Sequence, residues 1–218
     1  MSQADTANLL AIAQAEATLY SQRDPLPGNL ALGPKTRVGS YSDVYQGTWT
    51  HNGEDRVVCI KCIRNTTPVM DLTCPDLTRE ERFKRRIIRE TSIWARSEHP
   101  NVLPFLGYQV IDGEPRLVSP WMNNGSLETY LKTRPNLSDV DKLTLLQQAA
   151  DGLAYLHSSS PPIAHGDLKP ENILITDELT AALCDMGVSR ITVDAHTGLT
   201  TSGSAAGSAG FQAKELIM

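Results

Sequence analysis

The amino-acid sequence predicts an α+β fold of two lobes, β-rich over residues 32–122 and helical over residues 123–218, with a helical extension over residues 1–31 ahead of them. Three observations carry that prediction. Between Leu32 and Ile63 apolar and polar residues alternate in the strand period, with Gly47 and Asn52-Gly53 read as turns. After Asn123-Asn124-Gly125 the apolar residues recur at helical spacing instead. The 218 residues, 40% hydrophobic and 21% charged, are also enough to bury a sizeable core as one domain or two small lobes.

Taken in order, Thr6 to Arg23 reads as a helix with Leu9, Ile12, Leu19 and Tyr20 on one side, broken by Pro25-Leu26-Pro27-Gly28. The strand-like stretch to Ile63 follows. Asp76 to Glu98 reads as a long charged helix, and strands are predicted around Val102 to Val110 and Arg116 to Pro120. Ser126 to Lys132 and Ser138 to His157 read as helices. Ser138 serves as N-cap of the second, and Asp141 three residues on gives a partial capping box. The Gly/Ser/Ala/Thr-rich stretch from Thr197 to Gly210 reads as a loop.

The net charge of -5 argues against nucleic acid as the main partner, because phosphate binding wants a basic face. The Arg-rich run Arg79 to Arg89 is interleaved with Glu80, Glu81 and Glu90 and reads as a solvated helix face. No apolar stretch approaches the length that spans a bilayer, and the N-terminus lacks the pattern of a signal peptide. The chain is therefore expected inside the cell, in the cytoplasm, with its four cysteines reduced. Cys59 and Cys62 have CxxC spacing, but residues three apart on a strand point to opposite faces. They are not expected to share a metal or a disulfide. The sequence sets no oligomeric state.

The most specific run is His165-Gly166-Asp167-Leu168-Lys169-Pro170-Glu171-Asn172, continued by Ile173-Leu174-Ile175. It resembles the catalytic loop of a protein kinase, in which an Asp accepts the proton of the substrate hydroxyl and an Asn five residues later holds magnesium. The resemblance implies those roles for Asp167 and Asn172, and charge neutralisation on the transferring phosphoryl group for Lys169. Upstream, Val38-Gly39-Ser40-Tyr41-Ser42-Asp43-Val44 is similar to the glycine-rich loop, with Val38, Gly39 and Val44 at the nucleotide and Val44 covering adenine. Val58-Cys59-Ile60-Lys61 is similar to the V-A-I-K strand, with Cys59 lining the nucleotide site. The resemblance implies that Lys61 contacts the α- and β-phosphates and pairs with Glu90.

Leu117-Val118-Ser119-Pro120-Trp121-Met122 looks like the hinge. There Pro120 would offer its carbonyl and Met122 its N–H to adenine, with Ser119 as a small gatekeeper and Leu174 closing the base from below. Leu183-Cys184-Asp185-Met186-Gly187 matches D-F-G, which makes Asp185 the second protein ligand of magnesium (Mg2+). Gly207-Ser208-Ala209-Gly210-Phe211-Gln212-Ala213-Lys214-Glu215 resembles the G-T-x-x-Y-x-A-P-E segment. Together these imply a bilobal protein-kinase-like fold with an incomplete C-lobe. The implied activity is transfer of the γ-phosphate of ATP to a protein substrate, with ATP and Mg2+ as cofactors. Lys-Pro-Glu after Asp167 looks like Ser/Thr kinases, and the hinge looks like the tyrosine-kinase-like branch.

The sequence departs from the family in several places, among them Ser208, Phe211 and Lys214, which stand for the Thr, Tyr and Pro of the last segment. Arg37 and Ser42 stand where two of the loop's three glycines would be, Met186 replaces Phe, Gly166 replaces the Arg of H-R-D, and the chain stops soon after Glu215. In the family that Arg grips a phosphorylated activation loop. Its loss predicts activity that does not depend on phosphorylation at Thr197, Thr200 or Thr201. The alternative readings are a catalytically impaired pseudokinase or nucleotide-binding scaffold, and a small-molecule phosphotransferase of related fold.

Overall fold

The computed structural model describes residues 25–39, 42–64, 91, 94–112, 114–160, 162–185, 190–191, 208 and 210–211. They fall in two compact units. One runs to Arg96 and takes in Phe105–Trp121; the other comprises Ser97–Pro104 and Met122 onward. The predicted helix over residues 6–23, and most of that over residues 76–98, lie outside the described residues. Residues 94–96 at its end are helical, and the chain leaves the helix at Ser97.

The first unit is an antiparallel five-stranded sheet in the order β1-β2-β3-β5-β4. Its strands are β1 (Asn29–Val38), β2 (Ser42–His51), β3 (Glu54–Ile63), β4 (Gly107–Ile111) and β5 (Glu114–Pro120). Asn52 at φ 53 and Gly53 at φ 78 close the β2–β3 hairpin, the two positive dihedrals that a tight hairpin matching strand twist demands. Gly47 is not a turn. It sits within β2 opposite Val58, where a Cβ would meet Ile60 Cδ1 at 2.4 Å and the Ala31 carbonyl oxygen at 2.6 Å. The glycine is there for close packing, which the sequence does not separate from a turn signal. One face of β3 carries Val58, Ile60 and Cys62 into a core with Leu26 and Val118, flanked by Leu30, Tyr45, Trp49 and Leu106. Cys59, at odd spacing from Cys62, is on the other face.

The strand predicted over residues 102–110 begins only at Gly107. The residues up to Pro104 belong to the second unit instead. Leu103 N donates to the Leu183 carbonyl at 2.8 Å and Leu183 N to the Asn101 carbonyl at 2.9 Å. Backbone groups spent there cannot extend β4.

The second unit holds α1 (Leu127–Thr133) and α2 (Asp139–Ser158). Ser126 and Ser138 cap them, their hydroxyls accepting from Thr129 N and Asp141 N. Ser138 Oγ also donates to Asp141 Oδ2 at 2.6 Å, so Asp141 meets the cap through its hydroxyl rather than through the backbone N–H of a full capping box. Leu145, Ala149, Gly152 and Leu156 form the buried stripe of α2, which packs against a hairpin of β7 (Ile173–Ile175) and β8 (Ala181–Leu183). Gln148 Oε1 accepts from Ala181 N at 2.9 Å and secures that contact. The short strands β6 (Ile163–Ala164) and β9 (Arg190–Ile191) pair beside it.

Candidate active site

In the second unit the loop between β6 and β7 is ordered by side chains at two- and five-residue separations. Pro170–Asn172 forms one 3-10 turn, with Pro at its start where a missing N–H costs nothing. His165 is 2% exposed. Its Nδ1 accepts from Asp167 N at 3.3 Å while its Nε2 lies 2.9 Å from the Cys184 carbonyl oxygen. Only the neutral ring protonated at Nε2 makes both bonds. Burial holds its pKa below the usual imidazole range, and the Cys184 carbonyl pulls only partly the other way.

That ring carries a prediction. Its folded pKa lies below the unfolded value of about 6.5, so below that pH the unfolded chain binds a proton the folded chain does not. Stability is expected to fall as pH drops from about 7 toward 5. Chemical denaturation at several pH values checks it. His165→Asn should show a smaller slope over that window, and an equal slope would refute the assignment.

Asp167 is the centre of the loop. Its Oδ1 accepts from Ser208 N at 2.8 Å. Its Oδ2 lies 2.8 Å from Lys169 Nζ and accepts from Asn172 Nδ2 at 3.0 Å. Lys169 Nζ in turn donates to the Ser208 hydroxyl. Burial pushes the Asp167 carboxyl up, but the bonds from Lys169 and Ser208 together outweigh it, and the net shift is downward. The group is an oriented, ionised acceptor. Asn172 is fully buried; its amide nitrogen also donates to the Asp167 carbonyl at 2.9 Å, yet its Oδ1 has no hydrogen-bond partner. Among the described residues nothing offsets the cost of about 1–3 kcal/mol that an unpaired buried oxygen carries. Asp185 follows β8 at φ 64, a strained conformation for a residue with a side chain. Leu174 on β7 is half-buried between buried Ile173 and Ile175, and therefore faces the other way.

In the first unit, register places Val44, Lys61 and Leu117 side by side across β2, β3 and β5, with Gln46, Cys59 and Ser119 in the next row of the same face. Thus Val44, Cys59, Lys61 and Ser119 are brought together. Ser119 is 1% exposed. Burial pushes the Cys59 thiol up in pKa, the Ser119 hydroxyl and the Lys61 charge pulling the other way. Val38 is not in these rows; it registers opposite Asp43, on the Cys62 side of the sheet, and is 66% exposed. Pro120 ends β5 opposite Val58. The Met122 carbonyl, at the start of the second unit, accepts from Gly125 N at 3.1 Å. Glu90, Ser40, Tyr41, Met186 and Gly187 lie outside the described residues.

Two parts of the site were not legible in the sequence. The contact of Ser208 with both Asp167 and Lys169 spans about forty residues, with only the resemblance of Gly207-Ser208 to Gly-Thr as a pointer. Arg64, which donates to the Gly39 carbonyl, had no signal beyond its place after β3.

An ionised Asp set five residues before an Asn with a free buried oxygen, on a loop closed by Lys169, is the arrangement of a phosphoryl-transfer enzyme. Comparison with known proteins agrees. Residues 30–218 match the family described as protein tyrosine and serine/threonine kinase, and the chain belongs to that family. It is 33% identical over 190 residues to the Arabidopsis thaliana protein named probable serine/threonine-protein kinase SIS8, covering 86% of this chain and 17% of that one. It is 30% identical over 195 residues to the serine/threonine-protein kinase CTR1 of the same plant, covering 87% of this chain and 21% of the relative. With wall-associated receptor kinase-like 21, also from Arabidopsis thaliana, it shares 34% over 158 residues, 71% of this chain and 23% of the relative. The chain thus spans about a fifth of the length of these relatives. Among the described residues no helix is long and apolar enough to cross a membrane.

Proposed function

We propose that the chain transfers the γ-phosphate of ATP to Ser and Thr hydroxyls of proteins. The observation that carries this is the Asp167 carboxylate, kept ionised and fixed by Lys169, Asn172 and Ser208. Asp167 orients the acceptor hydroxyl and takes its proton as the oxygen attacks phosphorus and the ADP oxygen leaves. Lys169, bridging Asp167 and Ser208, offsets charge on the transferring group. Lys61 binds the α- and β-phosphates. Within the first unit Val44, Cys59 and Ser119 line the adenine side, with Gly39 at the loop edge and the Pro120 carbonyl at the base edge.

The Asn172 oxygen suits a hard cation, and Asp185 supplies a carboxylate. These two residues would hold Mg2+, which supplies charge neutralisation across the phosphates when bound. Among the described residues no three His, Cys, Asp or Glu side chains group as a metal cage.

Serine/threonine specificity draws support from Lys169-Pro170-Glu171 and from the printed names of the relatives. The test is transfer of labelled γ-phosphate from Mg·ATP to a generic protein, followed by identification of the labelled amino acid. Label on serine and threonine is expected. Nucleotide binding without transfer would establish the scaffold alternative, and label on tyrosine would reverse the specificity.

A further inference from the structure

The stretch that matches the family begins at residue 30, yet Leu26-Pro27-Gly28, ahead of it, is built into the first unit. Leu26 N donates to the Tyr108 carbonyl on β4 at 2.8 Å. Three successive carbonyls are then taken by side chains of the sheet. Gln109 Nε2 donates to those of Leu26 at 2.7 Å and Gly28 at 2.9 Å, and Trp49 Nε1 to that of Pro27 at 2.7 Å. Gly28, at φ 87, turns the chain into β1. The segment thus runs from β4 to β2 as a strap behind β5 and β3. Its Leu26 side chain, 8% exposed, packs with Val58, Ile60 and Cys62 of β3 and Val118 of β5. Gly107 leaves room for it, since a Cβ there would meet Leu26 Cβ at 3.1 Å.

We propose that Leu26, held in place by Gln109 and Trp49, is a positioning residue for the adenosine part of the nucleotide; this rests on the kinase reading above. Successive side chains of a strand stand on opposite faces of one backbone. Val58 and Ile60 flank Cys59, and Val118 precedes Ser119, so Leu26 packs against the immediate neighbours of two residues on the adenine side. Cores are close-packed, and the space left by a lost side chain is filled only partly, by inward movement of what surrounds it. Here that movement carries β3 and β5 toward the strap and draws Cys59 and Ser119 back from the base. A gap of about 0.5–1 Å forfeits a quarter to a half of an apolar contact. Lys61 has a flexible four-carbon stem that takes up such a shift, so the phosphates should not feel it.

Calorimetry on the full chain, with adenosine and with magnesium pyrophosphate as separate probes, tests the strap. In Leu26→Ala the Kd for adenosine is expected to rise about fourfold, the worth of one methylene's contact. The Kd for pyrophosphate should stay within about twofold, since pyrophosphate has no base. In transfer assays the KM for ATP should rise with that for adenosine while kcat holds, the mark of lost ground-state binding. Leu26→Met keeps the volume and should restore the parent affinity. Should Leu26→Ala fail to fold, Gln109→Leu releases two strap carbonyls, keeps Leu26, and should weaken adenosine about threefold. A lower melting temperature with unchanged adenosine affinity would mean a merely structural strap and overturn the proposal, as would adenosine and pyrophosphate weakening together. A parent chain that binds no adenosine would overturn the kinase reading and the strap's role with it. Adenosine binding by the parent, unaltered in every variant, would overturn the strap's role alone.

Discussion

Asp167→Asn is expected to lower phosphoryl transfer about 10²- to 10⁴-fold, the range that a positioned general base contributes. The substitution is isosteric. Its single amide oxygen can accept from Ser208 N or from Asn172 Nδ2 but not both, because the two bonds use different carboxylate oxygens, while the bond from Asn172 to the Asp167 carbonyl is kept. What disappears is the charge that Lys169 and Ser208 stabilise, and with it the ability to take a proton. The melting temperature should therefore fall by a few degrees, the consequence of one lost bond, while the rate collapses. Labelled phosphate transfer and a thermal scan on the same preparation check both halves. A variant retaining more than about a tenth of the parent rate would remove Asp167 from the role of base.

Gly152→Val should be the most damaging single change to stability in the second unit. Glycine inside a helix ordinarily costs about 1 kcal/mol relative to alanine, so its presence in α2 needs a reason. A Cβ there would meet the Asn101 carbonyl oxygen at 2.4 Å, a backbone atom already accepting from Leu183 N. Asn101 is further held by Nδ2, which donates to the Ala181 carbonyl at 2.8 Å. The neighbour cannot retreat without breaking the hairpin that carries Asp185. Overpacking of this kind costs about 1–3 kcal/mol, and the branched side chain adds to it. Ala154→Val, on the exposed side of α2, serves as control and should cost only about 0.5 kcal/mol in helix propensity. Equal losses for the two variants would show that the close approach is not what keeps Gly152.

Much of this was legible because the informative contacts are local. The Ser138 cap, the Asn52-Gly53 turn and the split of Cys59 from Cys62 each follow from residues within a few positions of one another. The errors have the opposite character. Gly47 was misread because its constraint comes from Ile60 and Ala31 on neighbouring strands. The start of the strand was misplaced because the backbone at Asn101 and Leu103 is claimed by Leu183, some eighty residues away. At the site, motif spacing indicated Lys61, Asp167, Asn172 and Asp185 as candidates. It gave no hint of Arg64, because an ion pair across strands leaves no period in the sequence.

The loop from His165 to Asn172 is wired largely to itself. Asn172 returns to Asp167 through both its main-chain oxygen and its carboxylate, Asn172 N returns to Lys169, and Asp167 N returns to His165. Beyond these, the chain from Ile173 onward supplies mainly Cys184, whose N–H meets the Asn172 carbonyl and whose carbonyl meets His165, and Ser208. Such a segment behaves as a ring with a fixed circumference. Side chains at its rim can be exchanged one at a time, but its length cannot: one residue inserted between Asp167 and Asn172 would open both of their links together. The five-residue interval is thus a dimension of the part, and it is the feature of this chain least free to drift.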